Sequence, residues 1–551
     1  MATFGLLLNC STGEELNDNV VDEDDPTCSE SDKAALAAPT VLEPADRPVD
    51  IRADNLKIMV DALPYVGQDV VFDVEMNRVK SSETERVWLF RGEVASGQEI
   101  VLSDGQFAAG VDELKEWKNY EVRTRVQEKG ECRWSEWSDG LPFRTDDGST
   151  QLFDDGFVHE ISLEIPDDSF SAINAQSRPQ GCTPLQRDYH PGTVQYDDMV
   201  FEGSGIRGKG GCGSSRRLVP SGDRNGKSSF KSNMSWDNPD VQGCGEERRL
   251  FGLKRLALNN QVQDPTYISE RLTYFLYKEV GLPSARVAPV RTVVNGDLWG
   301  LYLNVETMDR RFLSRWFDSN DGMMYEGTYD CDFDKPEDIP EGEDDIDCFT
   351  KKFDTDECSE DRGPDADPTT YALLIDMMAE VSALSNSNFY PAVTEIFDFD
   401  KYLTLLAVDT IVDSFDSYHY RIGNNYRVYH DPSTDKWTMF PQGVDQTFGS
   451  GGRRFINPFR ANKAFLARRC INNSQCKDLF ATRLQEVLVV FENANLEAMV
   501  RDIQNQIRSD VRADPRKEIS NSEWEDAVDD MIDFIQDRPG EVREYLSDEG
   551  Y

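Results

Sequence analysis

The segment YRVYHDPSTDKWTMFPQGVDQTFGSGG, residues 426–452, combines a β-hairpin pattern with an acidic residue in a glycine-containing turn. Two alternating strands flank a polar turn that contains Asp431 and Asp435, which predicts a hairpin. Asp445 follows the second strand, two residues after Gly443. Glycine leaves room for a ligand to approach the backbone. The segment therefore presents Asp445 as a candidate ligand for a bound cation.

Two more polar residues precede this hairpin at short range, Asp416 and Asn425. Phosphoryl transfer requires a carboxylate near the attacking hydroxyl and oxygen ligands for magnesium. An Asp, then an Asn, then an Asp beyond a hairpin is the order of these parts in protein kinases. The spacing is not that of H-R-D-x-x-x-x-N, and D-F-G is absent. The residues alone therefore leave two interpretations open, a phosphoryl-transfer site or a set of turn and cap residues.

A basic, glycine-dense loop, FEGSGIRGKGGCGSSRR, occupies residues 201–217 of this otherwise acidic chain. Arg207, Gly208 and Lys209 lie at its centre, and Lys227 follows in GKSSFK. Glycine-rich loops let backbone N–H groups reach phosphate oxygens. The spacing is not that of a Walker loop. A phosphate-binding loop and an ordinary surface loop both remain compatible with this pattern.

Composition limits the possible classes of protein. A chain of 551 residues is too long for one core. The net charge of −45 argues against nucleic acid and anionic membranes as partners and favours divalent cations. Eleven cysteines without a CxxC pair, and only four histidines, argue against zinc and for disulfides in an oxidising compartment. Cys470 and Cys476 are predicted to close a local loop.

The pattern along the chain predicts a short N-terminal region and two domains. Residues 1–37 comprise a start that resembles a bacterial lipoprotein signal ending at Cys10, followed by an acidic disordered tether. Membrane association is therefore expected only through a lipid anchor. Residues 38–147 show alternating runs at a spacing typical of a β-sandwich. WSEWS at 134–138 resembles the last strands of a fibronectin type III domain.

The large domain, residues 157–551, is predicted to be α+β, strand-rich first and helix-rich later. An acidic, cysteine-containing insertion occupies residues 329–367. Its run DCDFDKPEDIPEGEDDIDC offers carboxylates as calcium sites do, but it lacks the EF-hand spacing. A calcium site and a solvated loop held by disulfides explain this insertion equally well.

Five segments of the large domain together resemble the CotH kinase family of atypical protein kinases. They are LALNNQVQDPTYISERLTYFLYKEVGLPSARV (256–287), VNGDLWGLYLNVETMDRRFLSRWF (294–317), FDSYHYRIGNNYRVYH (415–430), WTMFPQGVDQTFG (437–449) and FIQDRPGEVREYL (534–546). They occur in the family's order. The resemblance implies an atypical protein-kinase-like domain, and it implies roles for seven residues: Asp416 orients the acceptor hydroxyl, Asn425 and Asp445 bind the metal, and Arg207, Gly208, Lys227 and Glu306 serve the nucleotide site.

The function that this resemblance implies is that of a secreted or surface-attached kinase. It would use ATP with Mg²⁺ or Mn²⁺ to phosphorylate Ser or Thr of an extracytoplasmic protein. The sequence departs from the family's pattern at Glu326, Gln442 and Gly443. The alternative is therefore a non-catalytic adhesion or scaffold protein at the cell surface. A carbohydrate-active protein also needs paired acids, but no motif order supports it.

Overall fold

The computed structural model describes residues 36–44, 48–50, 56–80, 84–111, 114–131, 133–176, 187–211, 213–219, 226–236, 248–329, 331–334, 349–351, 371–419, 423–450, 457–459 and 463–551. The chain divides into two compact units, the first ending at Thr150 and the second beginning at Gln151. The lipoprotein-like start with Cys10, the acidic tether and most of the acidic insertion lie outside the described residues.

The first unit is built from antiparallel strands with one parallel pair. Its strands are β1 (Val41–Glu43), β2 (Pro48–Asp50), β3 (Met59–Val60), β4 (Val70–Val79), β5 (Thr84–Gly92), β6 (Gln106–Phe107), β7 (Asn119–Glu128) and β8 (Leu141–Asp146). One sheet has the order β2-β8-β7-β4-β5-β6, and β1 pairs with β3. The fibronectin type III assignment stays a prediction.

Strand β7 shows why this unit forms a sheet with two different faces. Tyr120 and Val122 are buried in the apolar core. The alternate residue Arg125 lies among the tryptophans of WSEWS, with its guanidinium carbon 4.5 Å from the ring centre of Trp134 and 4.6 Å from that of Trp137. Period-two alternation in a strand produces this separation of apolar and cationic residues.

The second unit begins with a closed seven-stranded barrel in the order β10-β11-β12-β13-β15-β14-β9. Its strands are β9 (His159–Glu164), β10 (His190–Tyr196), β11 (Met199–Lys209), β12 (Ser229–Asn233), β13 (Arg255–Asn259), β14 (Val287–Val294) and β15 (Asp297–Val305). Helix α1 (Asp167–Ala175) follows β9, and helix α2 (Ser269–Glu279) lies between β13 and β14 in the chain.

The register of β11 against β12 decides which basic residues face the barrel core. Gly208 pairs with Phe230, which is fully buried in the barrel core. Arg207 pairs with Lys231, and Lys209 pairs with Ser229. Because neighbouring strand residues point to opposite faces, Arg207, Lys209 and Lys231 lie on the outer face of the barrel.

The remainder of the second unit is a four-stranded sheet with helices packed around it. The sheet order is β17-β16-β18-β19. Its strands are β16 (Met324–Gly327), β17 (Phe349–Lys351), β18 (Tyr426–Asp431) and β19 (Lys436–Pro441), and the helices are α3 (Arg310–Trp316), α4 (Ala372–Ala383), α5 (Phe389–Ile396), α6 (Phe399–Ile411), α7 (Phe465–Ile471), α8 (Ser474–Asn493), α9 (Leu496–Ala513) and α10 (Asn521–Asp548). The predicted hairpin is confirmed, because β18 and β19 pair antiparallel.

The architecture of the second unit is α+β, as the sequence predicts. Cys470 and Cys476 form the predicted local disulfide, with Cα atoms 5.1 Å apart. Cys331 is also disulfide-bonded. No helix in the described part of the chain is long and apolar enough to cross a membrane.

Candidate active site

The turn after β19 packs tightly against the end of the loop that precedes β18. Gly443 has a φ of +58°, and a Cβ on it would lie 2.8 Å from Oδ1 of Asn425. A side chain there would therefore clash with Asn425 and strain the backbone. Asn425 itself has a φ of +56°, a conformation that asparagine tolerates better than most residues. The positions of Gly443 and Asn425 are thus fixed where the turn after β19 meets the start of β18.

Asp416 lies in the loop after α6 and is held by side-chain amides. Nδ2 of Asn425 donates to Oδ2 of Asp416 at 2.8 Å and also lies 3.0 Å from its backbone oxygen. Nε2 of Gln446 donates to the same carboxylate oxygen at 3.3 Å. The structure therefore brings Asp416 and Asn425 together, as the family resemblance implies, beside the turn that carries Asp445.

Asp445 is a carboxylate with no direct ion-pair partner in the described structure, although the charge of Lys209 lies near enough to interact with it. Among the described residues, no side chain donates a hydrogen bond to it or forms an ion pair with it. Burial raises the pKa of Asp445 well above its usual value, and the negative charges of Glu270, Asp416 and Asp264 raise it further. Several acids near one another favour either a shared proton or a bound divalent cation.

Glu270 reaches the site from the first turn of α2. It is 1% exposed and accepts hydrogen bonds from Nδ2 of Asn259 at 2.9 Å and from Nε2 of Gln261 at 3.1 Å. Nζ of Lys209 donates to Oδ1 of the same Asn259. Asn259 thus bridges a lysine at the end of β11 and a glutamate on α2. Burial lowers the pKa of Lys209, against the opposing pull of Glu270 and Asp445.

Helix α2 is fixed directly to the turn that carries Asp445. Oγ1 of Thr273 lies 2.8 Å from Oγ1 of Thr447, and the hydroxyl of Tyr274 is hydrogen-bonded to the backbone of Gly443. Asp264 caps the start of the helix by accepting the backbone N–H of Ser269 at 2.8 Å. The position of Glu270 relative to Asp445 is therefore set by several hydrogen bonds.

Arg207 and Gly208 lie beside Lys209 on β11. The guanidinium of Arg207 is 5.1 Å from the ring centre of Tyr189 and lies on the same outer face as Lys209. Gly208 faces the opposite side, and a Cβ there would meet Ile173 at an ordinary 3.7 Å. Only the backbone of Gly208 is therefore available to the outer face.

Lys227 does not face the site, and a phosphate role for it does not fit its surroundings. It is fully buried, and its ammonium bonds to Oδ2 of Asp514 at 2.6 Å, to the backbone oxygen of Leu301 at 2.8 Å and to the hydroxyl of Tyr267 at 3.2 Å. A lysine has three donors, so none remains for a phosphate. These contacts link Lys227, just before β12, to the segment after α9.

Glu306 pairs with two arginines. Its Oε1 lies 2.7 Å from Nη2 of Arg286, and its Oε2 bonds to Arg315. Burial alone would raise the pKa of Glu306, but the two arginines outweigh it and lower the pKa. Both carboxylate oxygens are used, so this residue stands apart from the acids around Asp445.

Two of the departures from the family pattern belong to one cluster around Arg427. Nε of this buried arginine donates to Oε1 of Gln442 at 2.8 Å, and its Nη2 lies 3.4 Å from Oε2 of Glu326. Glu326 balances the charge of Arg427, and Gln442 accepts one of its hydrogen bonds. The side-chain oxygen of Gln442 is therefore engaged with Arg427.

The described acids fit a divalent cation only in part. Within the described segments, no three His, Cys, Asp or Glu side chains meet closely enough to hold an ion by themselves. Mg²⁺ is commonly bound through one or two carboxylates, with water and substrate phosphates completing its shell. Asp445 could supply the carboxylate in this kind of site, and Asn425 lies nearby. Water and phosphate oxygens would fill the remaining positions around the ion.

The family of the protein is established by comparison with known sequences. Asn259 links a strand lysine to a helix glutamate, and the Asp416–Asn425 pair lies beside the turn that carries Asp445. A family model described as CotH kinase protein matches residues 206–542, so the chain belongs to that family.

Two relatives illustrate the range of this similarity. The chain is 23% identical over 309 residues to the inner spore coat protein H of Bacillus subtilis, covering 55% of this chain and 81% of that protein. It is 22% identical over 302 residues to invasin CotH7 of Rhizopus delemar, covering 52% of this chain but 46% of the fungal protein.

The sequence analysis did not identify Glu270 as a site residue, nor Asn259 as its link to Lys209. An acid in the first turn of a helix is ordinary, because it complements the helix dipole. Lys209 is one of several basic residues in its loop. A signal was present only in the combination of a strand-end Asn259 and a helix that starts about ten residues later.

Proposed function

We propose that the second unit is an active kinase that transfers the γ-phosphoryl group of ATP to a Ser or Thr hydroxyl of an extracytoplasmic protein. The observation that carries this proposal is the carboxylate of Asp445, which has no side-chain hydrogen bond or ion pair among the described residues. It lies beside the Asp416–Asn425 pair, and its electrostatic neighbours include both Glu270 and Lys209.

Each side chain then has a defined task. Lys209, oriented through Asn259 by Glu270, binds phosphate oxygens. Asp445 and Asn425 hold Mg²⁺ or Mn²⁺, which neutralises charge on the phosphates. Asp416 orients the acceptor hydroxyl and accepts its proton as the new O–P bond forms and the bond to the β-phosphate oxygen breaks. Phosphoryl transfer needs little more than such positioning and electrostatics.

The nucleotide contacts proposed here differ from those that the sequence resemblance implies. Arg207 and Lys209 lie on the outer face of β11, and Lys231 shares that face on β12. In this proposal these three residues face the phosphates, while Lys227 and Glu306 have structural roles. The role of Gly208 at the phosphates stays a prediction.

An extracytoplasmic location is part of the proposal. The disulfide between Cys470 and Cys476 supports it, because disulfides persist in oxidising compartments. The relative named as an invasin supports a role at a surface. A lipid on Cys10 and calcium in the acidic insertion remain separate proposals, on residues outside the described structure.

A second candidate function is non-catalytic adhesion. It is favoured by the invasin relative and by the engagement of Gln442 with Arg427. Labelling distinguishes the two functions. Purified protein is incubated with γ-labelled ATP and Mn²⁺, with and without cell-envelope proteins, and compared with Asp416→Ala. ATP-dependent label on Ser or Thr that is lost in the variant supports the kinase. No label and no nucleotide binding supports adhesion.

A further inference from the structure

Three buried side chains from three different segments form one hydrogen-bonded chain beneath the site. The hydroxyl of Tyr277, on α2, donates to Oδ1 of Asp409, on α6. Oδ2 of Asp409 lies 2.7 Å from Nδ1 of His419, in the loop after α6. None of the three is more than 2% exposed. Both carboxylate oxygens of Asp409 are thus engaged, one by each neighbour.

The ends of this chain lie close in sequence to the two halves of the candidate site. Tyr277 is seven residues after Glu270, which is about two turns further along the same face of α2. His419 is three residues after Asp416. These hydrogen bonds therefore connect α2, which carries Glu270, with the loop after α6, which carries Asp416.

The packing around the loop is incomplete at this place. A small cavity lies between the chain and the site, and its lining includes Tyr277, Asp409, Ser417, Asn425 and Gly443. The hydroxyl of Ser417 is buried there without a hydrogen-bond partner among the described residues. Hydrogen bonds therefore supplement packing in fixing this part of the loop.

We infer that Tyr277, Asp409 and His419 are positioning residues that keep Asp416 in register with Glu270 and Asp445 for phosphoryl transfer. The inference rests on the proposed kinase function. It goes beyond that function because none of the three residues touches the nucleotide or the acceptor in the proposed mechanism. They act through the placement of α2 relative to the loop after α6.

The test compares two tyrosines that lose the same buried hydroxyl. Tyr277→Phe removes the link to Asp409. Tyr302→Phe is the matched control, because Tyr302 is 1% exposed and its hydroxyl donates to the backbone oxygen of Ser228 at 2.8 Å, inside the barrel. Both variants should lower the unfolding temperature, and Tyr277→Phe at least as much as Tyr302→Phe, since it leaves a carboxylate oxygen unpaired and the control leaves a backbone oxygen unpaired.

The kinetic constants should separate the two variants. For Tyr277→Phe, kcat should fall about tenfold or more while KM for ATP stays within about twofold, because a misplaced acceptor-orienting group affects the transition state and not ground-state binding. Tyr302→Phe should keep kcat within about twofold. In an Asp416→Ala background, Tyr277→Phe should have no further effect on kcat. Equal loss of kcat in both tyrosine variants would overturn the inference.

A second variant and a second measurement keep the inference testable if Tyr277→Phe does not fold or if the proposed function fails. His419→Gln tests the other end, with the same expected loss of kcat at unchanged KM. If wild-type protein transfers no phosphate, the kinase proposal is contradicted. Amide hydrogen exchange then tests separately whether the hydrogen bonds of Tyr277, Asp409 and His419 hold the loop. Residues 414–419 should exchange faster in Tyr277→Phe than in Tyr302→Phe. Unchanged exchange there would contradict the positioning role.

Discussion

Nζ of Lys227 lies 2.6 Å from Oδ2 of Asp514, and neither side chain is exposed to solvent. The two residues are 287 positions apart, so the pair joins the barrel to the segment after α9. Gly300 gives this pair its space, because a Cβ there would lie 2.3 Å from the carboxyl group of Asp514. A basic residue that resembles a phosphate ligand in the sequence is therefore part of the internal structure.

Replacing Lys227 should destabilise the fold. Lys227→Met leaves the carboxylate of Asp514 buried without its cation, and breaking a buried pair in this way lowers the free energy of unfolding by about 3–5 kcal/mol. Urea unfolding measures this difference. Lys209→Met is the matched comparison. It should lower stability much less and should weaken ATP binding. Equal destabilisation by both substitutions would contradict the division into structural and phosphate-facing lysines.

Asp445→Asn should stabilise the protein when no divalent cation is present. Burial and neighbouring acids raise the pKa of Asp445, so its favourable contribution exists at low pH and is lost as the pH rises through the raised pKa. At neutral pH the neutral amide removes this penalty. Calorimetry should find a higher Tm for the variant without metal, and Mn²⁺ with ATP should raise the Tm of wild type only. A lower Tm of the metal-free variant would count against the carboxylate cluster.

Gly443→Ala should damage the site more than the same change at another glycine with positive φ. Gly296 has a φ of +80°, and a Cβ placed on it would have nothing within 4 Å, so Gly296→Ala carries only the backbone strain of about 1–2 kcal/mol. Gly443→Ala adds a clash with Asn425. Both variants should lose stability in urea, and only Gly443→Ala should lose phosphoryl transfer. Full activity of Gly443→Ala would show that Asn425 is not held as described.

Asp332 should make stability depend on pH between about 4 and 6. Burial raises the pKa of Asp332 from 3.8 to about 6, although the hydroxyl of Tyr418 and the backbone N–H groups of Phe333 and Phe465 donate to it. Because the folded state binds this proton more tightly, the stabilising contribution is complete below about pH 4 and is lost as the pH rises to about 6.

The comparison for this residue is Asp332→Asn, which cannot titrate. The free energy of unfolding of wild type relative to that of the variant should fall by up to about 3 kcal/mol as the pH rises across that interval, at about 1.4 kcal/mol for each pKa unit. Urea unfolding at a series of pH values measures it. A difference that does not change with pH would contradict the raised pKa.

The sequence predicts best what is local in the chain. The hairpin and the disulfide loop between Cys470 and Cys476 follow from short-range patterns, and the order of Asp416, Asn425 and Asp445 follows from the family resemblance. The faces of the barrel strands are not predictable in this way. Lys209 and Lys227 both adjoin glycines, and only the register of β11 with β12 and the distant Asp514 separate their roles.

Long-range partners explain the remaining differences. The link from Lys209 to Glu270 passes through Asn259, which is 50 positions from Lys209 and 11 from Glu270. The local pattern offers only a strand-end asparagine about ten residues before a helix, which does not by itself indicate the bridge. The role of Glu306 likewise follows from its partners in the fold. Arg286 precedes it in the sequence and Arg315 follows it, and both pair with its carboxylate. Such pairings depend on the tertiary structure and not on local preference.

The most direct test of the central claim is calorimetric titration of the protein with ATP and Mg²⁺, combined with rates of transfer. Asp445→Ala should weaken metal-dependent ATP binding. Asp416→Ala should bind ATP nearly as wild type does and should transfer phosphate about a hundredfold more slowly or worse, the scale of a lost general base. Asp435→Asn, in the hairpin turn and 93% exposed, is the control and should change neither quantity. Absence of ATP binding by wild type, or binding and transfer that neither substitution alters, would contradict the account.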